Sequence, residues 1–552
     1  MKLKFGKNDS LDLQPVSLTT EVTIEGRKFA LSSNNPALNT DQVPAPVRLA
    51  ASRAAAVTNR VVQQTFQKTV ATYASPATRA KVNPDDVEPA VFYDTSGTLR
   101  VIYREVVVRF EPATPAQKRK AVLDGFGLTV REKNAYQKDQ VIAVDPNRKY
   151  IAEGMIDLAN KLTDTEEVLF AFPNFVSEFR RRLQAPQPVR SQWHLARVDA
   201  NKAWKESQGE NIVVAVLDDG VDIDHENLKP NIKKNPDPTE PRDRFGRDFF
   251  VGEDAPDHFD PRPKLFRAPF DQMQGNDIHG TCCAGVVAAA GKGGVFGIAP
   301  KAKILPVKIF HADPLATESR VANAIRYASR FADILSCSWS GPPSPDIEFA
   351  LQEAKAGRGG KGCPVFCATG NETAPVGFPA RSDSAIAVGA STDQQDLAFY
   401  SNRGPEVSVV APSNGGTRGI FTTDVSLPNR GFNLGSVAAG GADGLNTNDF
   451  GGTSSATPLA AGIAALVLSA NSALTGADVK TLLQETAVKV GSPASYNANG
   501  HSNNFGFGEV NAASAVAKAL QLAGGSGRAA RTRKPSKKRG AKAKARKGSR
   551  KK

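Results

Sequence analysis

Three short segments of the chain carry residue types that can perform nucleophilic and acid–base chemistry. In chain order they are Asp218-Asp219-Gly220, His279-Gly280-Thr281 and Gly452-Thr453-Ser454-Ser455-Ala456-Thr457-Pro458. A carboxylate can orient an imidazole, the imidazole can act as a general base, and a serine hydroxyl can then attack a carbonyl carbon. The segments therefore predict hydrolysis through an acyl-enzyme on Ser454, provided that the fold brings them together.

Each segment borders an element that is typical of an α/β fold. Asp218 ends an apolar run that indicates a fully buried strand, so its carboxylate is expected at the carboxyl edge of a sheet, where open α/β sheets hold their chemistry. His279 and Ser454 each precede a run of small and apolar residues that indicates a buried helix. A nucleophile at the start of a helix gains from unpaired backbone amides and from the positive end of the helix dipole.

These motifs, in this order, resemble those of the subtilisin-like serine peptidases over roughly residues 192–522, with features of the kexin branch. The resemblance implies that Ser454 is the nucleophile, that His279 is the general base, and that Asp218 orients His279 and stabilises its imidazolium form. Asp219 is the alternative acid, although it matches the variable middle position of the family's Asp-x-Gly motif. The implied fold is a subtilisin-like parallel sheet with helices on both faces.

Alternating strands and helices support a parallel sheet. Strands are predicted at 302–310, 334–339, 364–369 and 385–390, and helices at 319–332, 346–356 and 477–487. One strand ends in Gly370-Asn371, where the family carries its oxyanion asparagine, so Asn371 and the Ser454 backbone N–H are the expected donors to the oxyanion. The segment that matches the family's substrate-binding strand is Ser338, Trp339, Ser340 and Gly341.

The same region bears on substrate preference. At Trp339 the sequence resembles the kexin branch of the family. Peptidases of that branch prefer basic residues before the cut, and carboxylates in their pocket neutralise the substrate cation. Here the first carboxylates, Asp346 and Glu348, follow a proline-rich turn, and a basic tail stands where that branch has a β-sandwich domain. Gly377 and Phe378 leave room for a large apolar side chain. We therefore expect a broad or apolar preference.

The chain is long enough for more than one domain. Upstream of the peptidase, a strand, helix, strand, helix, strand order suits a small α+β sandwich. The predicted division is a poorly ordered region at 1–100 with a helix near 47–73, a propeptide-like α+β domain at 101–180, a linker at 181–191, the peptidase at 192–523 and a disordered basic tail at 524–552.

The α+β domain ends in Phe172-Pro173-Asn174-Phe175 and resembles the family's N-terminal propeptide. The resemblance implies an autoinhibited zymogen in which the propeptide is an intramolecular inhibitor of the peptidase. Cleavage is expected between Ser177 and Arg190. The alternative is a permanent accessory domain with a basic linker.

The net charge of +14 originates in the C-terminal tail. Residues 528–552 hold 14 Lys and Arg and no acidic residue, which leaves 56 basic and 56 acidic residues elsewhere. A tail of this composition is expected to be disordered and to attract polyanions by counterion release. The competing hypothesis for the whole chain is a catalytically idle peptidase-fold scaffold that binds polyanions through this tail.

The five cysteines are expected to be buried reduced thiols, with Cys283 near His279. No cofactor is needed for the predicted chemistry, but the resemblance implies that structural calcium could bind, with Asn227 at one family ligand position. Other candidate ligands are Asp248, Asp254, Asp257 and Asp260. The sequence has no run of about 18 apolar residues, so no transmembrane helix is predicted. The N-terminus lacks the apolar centre of a secretory signal, which favours a cytoplasmic over a secreted protein.

Overall fold

The computed structural model describes most of the chain from residue 99 onward and short segments before it. The described residues are 2–4, 10–15, 21–24, 27–30, 90–94, 99–147, 154–178, 192–234, 236–237, 244–251, 255–264, 277–311, 315–426, 431–441 and 443–531. The helix predicted near 47–73, the linker at 181–191 and most of the basic tail lie outside these residues.

The N-terminal third of the chain contains antiparallel strands and two helices, with β3 and β4 as a separate two-stranded sheet. Its strands are β1 (Lys2–Lys4), β2 (Ser10–Pro15), β3 (Glu21–Ile24), β4 (Arg27–Ala30), β5 (Ala90–Asp94), β6 (Leu99–Phe110), β7 (Thr129–Lys133), β8 (Gln140–Val144) and β9 (Val168–Glu178), and its helices are α1 (Ala116–Gly125) and α2 (Gly154–Thr163). The sheet order is β1-β2-β5-β6-β8-β7, and β9 pairs with the other side of β6. We refer to residues 99–178 as the N-terminal domain.

The predicted strands and helices of this domain are present, and one strand was missed. β7 has the sequence TVREK and is mostly exposed, so it lacks the apolar alternation from which a strand can be recognised. The core of the domain is formed mainly by apolar side chains of β6, β9 and α2, joined by Leu123 of α1 and Ile142 of β8, which pack as a cluster of their own.

The second sheet has seven parallel strands in the order β11-β12-β10-β14-β15-β16-β17. Their bounds are β10 (Val213–Asp218), β11 (Arg247–Asp248), β12 (Lys303–Lys308), β14 (Ile334–Cys337), β15 (Val365–Ala368), β16 (Ile386–Ser391) and β17 (Val407–Pro412). The short strand β13 (Leu315–Thr317) pairs with β9, and β18 (Ile420–Thr423) pairs with β19 (Asn446–Phe450).

Helices cover both faces of the parallel sheet. They are α3 (Trp193–Arg197), α4 (Ala200–Ala203), α5 (His279–Ala288), α6 (Glu318–Phe331), α7 (Pro345–Ala354), α8 (Thr453–Ala470), α9 (Gly476–Glu485) and α10 (Ala512–Arg531). Short 3₁₀ helices span Lys229–Asn231, Lys292–Gly294, Arg358–Gly360 and Pro493–Ser495. The elements predicted from the alternating pattern agree with these bounds to within about two residues.

The sequence of strand β10 is apolar without interruption because the strand packs against helices on both of its faces. Val214 and Val216 pack into the cluster that includes α5 and α8, whereas Ala215 and Leu217 pack into the cluster that includes α6 and α7. Because both faces of the strand are buried, every position favours an apolar side chain. Among the described residues, α8 is the one helix long and apolar enough to cross a membrane, and 89% of it is buried inside the molecule.

Candidate active site

Asp218 is the last residue of β10, and its side chain is buried at the carboxyl edge of the sheet. His279 begins α5, and its Nδ1 lies 2.9 Å from Oδ1 and 3.0 Å from Oδ2 of Asp218. A carboxylate can only accept, so this contact places the proton of neutral His279 on Nδ1 and the lone pair on Nε2. The Phe450 ring packs edge-on against the imidazole at 5.3 Å.

Ser454 lies in the first turn of α8, next to the same edge. Gly452 precedes the helix with φ +74°, a conformation that favours glycine, and its N–H donates to Asn414. The Ser454 hydroxyl donates to the Ser338 carbonyl at 3.2 Å. His279 Nε2 is buried and has no hydrogen-bond partner among the described residues.

Pro458 accounts for a further contact of Ser454. Proline has no N–H, so the carbonyl four residues earlier, that of Ser454, lacks its helical donor. The Ser338 hydroxyl donates to this carbonyl at 3.0 Å. The two serines are therefore joined by two hydrogen bonds of opposite direction, which fix the start of α8 against the end of β14.

Asn371 follows β15 and is oriented by Thr453. Its Oδ1 accepts from the Thr453 N–H and from the Thr453 hydroxyl, both at 2.8 Å. A backbone N–H requires an acceptor, so these bonds assign the oxygen to this side and direct the amide NH₂ the other way. That orientation is the one an oxyanion donor needs.

Of the residues predicted to bind substrate, Ser338 and Gly341 contact neighbouring segments at the active-site edge, whereas the Trp339 side chain is buried. Ser338 contacts Ser454, and the Gly341 N–H donates to the Phe378 carbonyl at 2.8 Å. The Trp339 side chain instead points into the protein interior, where its Nε1 donates to the Leu217 carbonyl at 3.1 Å. The Trp339 side chain therefore fills space in the hydrophobic core below the active-site edge.

Asp219 does not bind the imidazole. Its carboxylate accepts from the backbone N–H groups of His279 and Gly280. Sequence reasoning left Asp219 as an alternative orienting acid, and the ring contacts belong to Asp218.

Cys283 lies one helical turn after His279, as expected. Its Sγ is 3.6 Å from Asp218 Oδ2 and 3.7 Å from His279 Nδ1. Burial, reinforced by the Asp218 charge, raises the pKa of the Cys283 thiol well above its usual value. The three groups are close enough to hold a metal ion, but a neutral thiol and a hydrogen-bonded Asp–His pair fit a proton-transfer site better.

A buried ion pair anchors the segment that leads into His279. Lys308 Nζ lies 2.6 Å from Asp277 Oδ2, and both side chains are fully buried. Burial alone would raise the pKa of Asp277, but Lys308 holds it below its usual value. Burial lowers the pKa of neighbouring His311 to about 4 and raises that of Asp248 to about 6.

Asn227 does not fit the calcium position that the resemblance suggested. Its Nδ2 donates to the carbonyls of Lys292 and Val295, and its Oδ1 accepts from the Lys292 N–H at 2.9 Å. Calcium needs six to eight oxygen ligands, and here amide hydrogens face the loop carbonyls. Asp257 pairs with Lys264 and Asp260 with Arg262, and Asp254 lies outside the described residues.

Sequence reasoning missed two contributions to the site. The role of the Ser338 hydroxyl could have been found from Pro458, because a proline inside a helix releases the carbonyl four residues before it. The backbone contacts of Asp219 could not have been found in this way, because they join residues 60 and 61 positions apart.

The sequence of the chain is similar to those of known proteins. The family model described as the subtilase family matches residues 209–508. A calcium-dependent protease from Nostoc sp. is 33% identical over 471 residues, 78% of this chain and 66% of that protein. Subtilisin E from Bacillus subtilis is 32% identical over 296 residues, 52% of this chain and 63% of that protein. The chain thus spans slightly less than two thirds of these relatives' lengths.

A solved structure agrees at the level of the fold. Fervidolysin from Fervidobacterium pennivorans, a keratinolytic enzyme related to subtilisin, superposes with a TM-score of 0.56. Its sequence is 21% identical, and the match covers 75% of this chain and 60% of that one.

Proposed function

The chain belongs to the subtilase family of serine peptidases, and from that premise we propose that it is an endopeptidase with Asp218, His279 and Ser454 as its catalytic residues. The observation that carries this proposal is the pair of contacts at 2.9 and 3.0 Å between His279 Nδ1 and the Asp218 carboxylate. They prepare Nε2 as a base at the edge of the sheet next to which Ser454 lies, in the first turn of α8.

In this mechanism the Ser454 hydroxyl turns from the Ser338 carbonyl toward His279 Nε2. Hydrogen bonds of this kind are often loose without substrate and tighten when it binds. As Oγ attacks the peptide carbonyl, its proton moves to Nε2, and Asp218 stabilises the imidazolium. The imidazolium then protonates the leaving amine as the C–N bond breaks. Water then attacks the acyl ester and gives a proton to the same nitrogen, and the imidazolium protonates the Ser454 oxygen as the ester C–O bond breaks.

The charge that develops on the carbonyl oxygen needs donors that water no longer supplies. The Asn371 amide and the Ser454 N–H are proposed for this role. The Thr453 contacts support it, because they hold the amide oxygen of Asn371 away from the oxyanion. One such donor is typically worth about 3–4 kcal/mol in the transition state.

The test compares the full chain with Ser454→Ala, using an active-site serine phosphonate and intact mass. Labelling of the wild type alone, at Ser454, would support the nucleophile. If neither protein is labelled, even after limited proteolysis has removed the N-terminal region, the scaffold hypothesis replaces the enzyme.

For specificity we propose a broad or apolar preference, and the resemblance to the kexin branch stays a prediction. The Asp346 carboxylate is fully buried and bound by Arg326 and Gln140, so it does not serve a pocket cation. A Cβ on Gly377 would lie 3.5 Å from Ser340 Cβ and from the Thr369 carbonyl oxygen. Gly377 therefore faces the space between the segments that follow β14 and β15. Comparable kcat/KM for peptides with Phe or Leu before the cut, above that for Arg, is expected; a preference for Arg would contradict it.

We further propose that the N-terminal domain inhibits the peptidase within the same chain. Strand β9 pairs antiparallel with β13, with Val176 opposite Thr317 and Glu178 opposite Leu315. Strand β12 ends beside Asp218, at the active-site edge, and β13 is the next strand along the chain, so Leu315 is the end of β13 nearer to that edge in the chain. Because β9 runs antiparallel to β13, β9 ends opposite Leu315 and is directed toward the active-site edge. A chain that leaves Glu178 in this direction is suited to reach the cleft.

A second set of contacts joins the N-terminal domain to helices α6 and α7 of the peptidase. We call the surface of α6 and α7 that meets the N-terminal domain the docking face. On it, Glu353 lies 2.8 Å from Arg109 and accepts from Gln137 at 2.6 Å, while it also pairs with Arg326 of its own side. Gln140 donates to Asp346 at 3.0 Å.

At the docking face, each domain inserts one aromatic side chain into the hydrophobic cluster of the other. Tyr136 of the N-terminal domain belongs to the hydrophobic cluster of the peptidase, next to Phe249 and Tyr327. In return, Phe349 of α7 stacks on Phe170 at 5.0 Å and packs against the core of the N-terminal domain. Buried aromatic anchors of this kind carry much of the binding energy of an interface.

Intact mass separates the inhibitor from a permanent domain. The wild type is expected to lose an N-terminal fragment that ends between Ser177 and Arg190, whereas Ser454→Ala keeps it. Labelling without loss of the fragment would retain the enzyme and leave the N-terminal domain as an accessory.

Structural calcium, which the name of the Nostoc relative suggests, is proposed to act elsewhere than at Asn227. We expect a chelator to change the unfolding temperature of the wild type and of Asn227→Ala by the same amount. The variant should be less stable in both conditions, because buried hydrogen bonds are lost at about 1 kcal/mol each. A chelator effect that disappears in Asn227→Ala would contradict this assignment.

A further inference from the structure

Asp219 connects His279, the proposed base, with Asp218, the carboxylate that orients it. Its side chain is fully buried, its Oδ2 accepts from the His279 N–H at 3.0 Å, and its Oδ1 accepts from the Gly280 N–H at 2.6 Å. Its own N–H donates to Asp218 Oδ1 at 2.8 Å. One residue therefore contacts the backbone of the base and the carboxylate that orients the base.

These contacts compensate for a missing helix cap. The first N–H groups of a helix have no acceptor within the helix. Ile278, which precedes α5, has an apolar side chain that cannot accept a hydrogen bond, so the acceptors come from the end of β10 instead. Hydrogen bonds from N–H groups to a carboxylate are stronger than neutral ones, and a negative charge at a helix N-terminus is favourable.

The first turn of α5 packs closely against the residues that end and follow β10. A Cβ on Gly280 would lie 2.3 Å from the Gly220 carbonyl oxygen and 2.9 Å from Asp218 Cβ. The helix start is thus pressed against the strand end, with the Asp219 carboxylate as the polar contact between them.

We propose that Asp219 is a positioning residue for catalysis, which holds His279 in reach of Ser454 and keeps the Asp218 carboxylate oriented. The inference rests on the proposed peptidase function and adds a residue that acts through His279 rather than on the substrate. The imidazole contacts Asp218, Cys283 of α5 itself and the Phe450 ring of β19. Asp218 and Asp219 supply the negative charge beside the imidazolium, because the Cys283 thiol is neutral.

The test uses the full chain with Asp219→Asn and Asp219→Ala. Asparagine keeps one acceptor but turns an NH₂ group toward a backbone N–H, and alanine removes both acceptors. We expect kcat per labelled site to fall about 10- to 100-fold, more for Ala than for Asn, with KM within about twofold. The acid limb of the pH–rate profile should move to lower pH, because a negative charge that favours the imidazolium is gone.

Asp224→Asn is the matched control, since it removes an equal charge from an exposed carboxylate that pairs with Arg262. It should leave kcat and the acid limb unchanged. If Asp219 only stabilised the fold, its variants would lose labelled protein but keep kcat per site and the pH profile, and that result would overturn the inference. If the alanine variant does not fold, the isosteric asparagine variant decides. An unlabelled wild type would overturn the peptidase function itself, and the role of Asp219 with it.

Discussion

In the catalytic corner, by which we mean Asp218, Asp219, His279 and Ser454, short side chains reach the backbone of neighbouring segments. On the docking face, long side chains such as Arg109 and Gln140 reach between two separate hydrophobic cores. The hydrogen bonds described for the corner come from the peptidase itself, whereas those of the docking face need both domains. If the N-terminal domain is released, as proposed, the hydrogen bonds of the corner are therefore expected to remain, whereas those between the two domains are lost.

The largest effect is expected from a methyl group added within the catalytic corner, at Gly280. We expect Gly280→Ala to lose several kcal/mol of stability and nearly all phosphonate labelling, because the Gly220 carbonyl oxygen that its Cβ would meet is backbone and cannot turn away. Gly154→Ala is the control, since a Cβ there meets nothing within 4 Å. Thermal unfolding and the labelled fraction measure both variants. Normal labelling of Gly280→Ala would show that the corner is not preorganised.

A smaller effect is expected from removal of the oxyanion donor. Asn371→Ala should lower kcat by about 10²–10³-fold with little change in KM, because the amide is needed only when the carbonyl oxygen gains charge. The stability should fall by the two hydrogen bonds to Thr453, at about 1 kcal/mol each, and so by less than in Gly280→Ala. A rise in KM at unchanged kcat would assign Asn371 to substrate binding instead.

On the docking face, Tyr136→Ala should speed release of the cleaved N-terminal domain at least roughly tenfold, because an aromatic anchor leaves the peptidase cluster. Val130→Ala, which trims an exposed side chain of the same domain, is the control. Co-elution of fragment and peptidase with time measures release, and the kcat of the freed peptidase should equal that of the wild type. Equal release rates for the two variants would remove Tyr136 as the anchor.

The smallest expected effect is a pH dependence of the docking face. Burial alone would raise the pKa of Glu353, but Arg326 and Arg109 hold it below its usual value of 4.5. The contribution of the carboxylate is therefore present above that value and is lost as the pH falls through the lowered pKa. Since Arg326 stays with Glu353 after separation, the part that Arg109 adds should weaken retention of the domain only a few-fold in acid. Arg109→Met should abolish the dependence, and an unchanged profile would contradict the role of the pair.

Much of the site was predictable because each catalytic candidate follows or begins an element with a clear pattern. The apolar run before Asp218 and the small-residue runs after His279 and Ser454 predict a strand and two helices, which are β10, α5 and α8. Strand β7 was not predictable, since its exposed and charged residues carry no alternation. Trp339 was assigned to the substrate-binding strand, but its side chain packs inward, because the side chains of an extended segment alternate in direction.

The sequence by itself determined the order and chemistry of the candidate residues, the parallel sheet and the basic tail, since these follow from local pattern and composition. Only the tertiary structure decided that Asp219 accepts from the backbone of His279 and Gly280, that Asn227 is committed to the 292–295 loop, and that Tyr136 enters the core of the other domain. Each of these depends on contacts between segments far apart in the chain. Local patterns set the elements, but which groups meet depends on how the packed elements lie against one another.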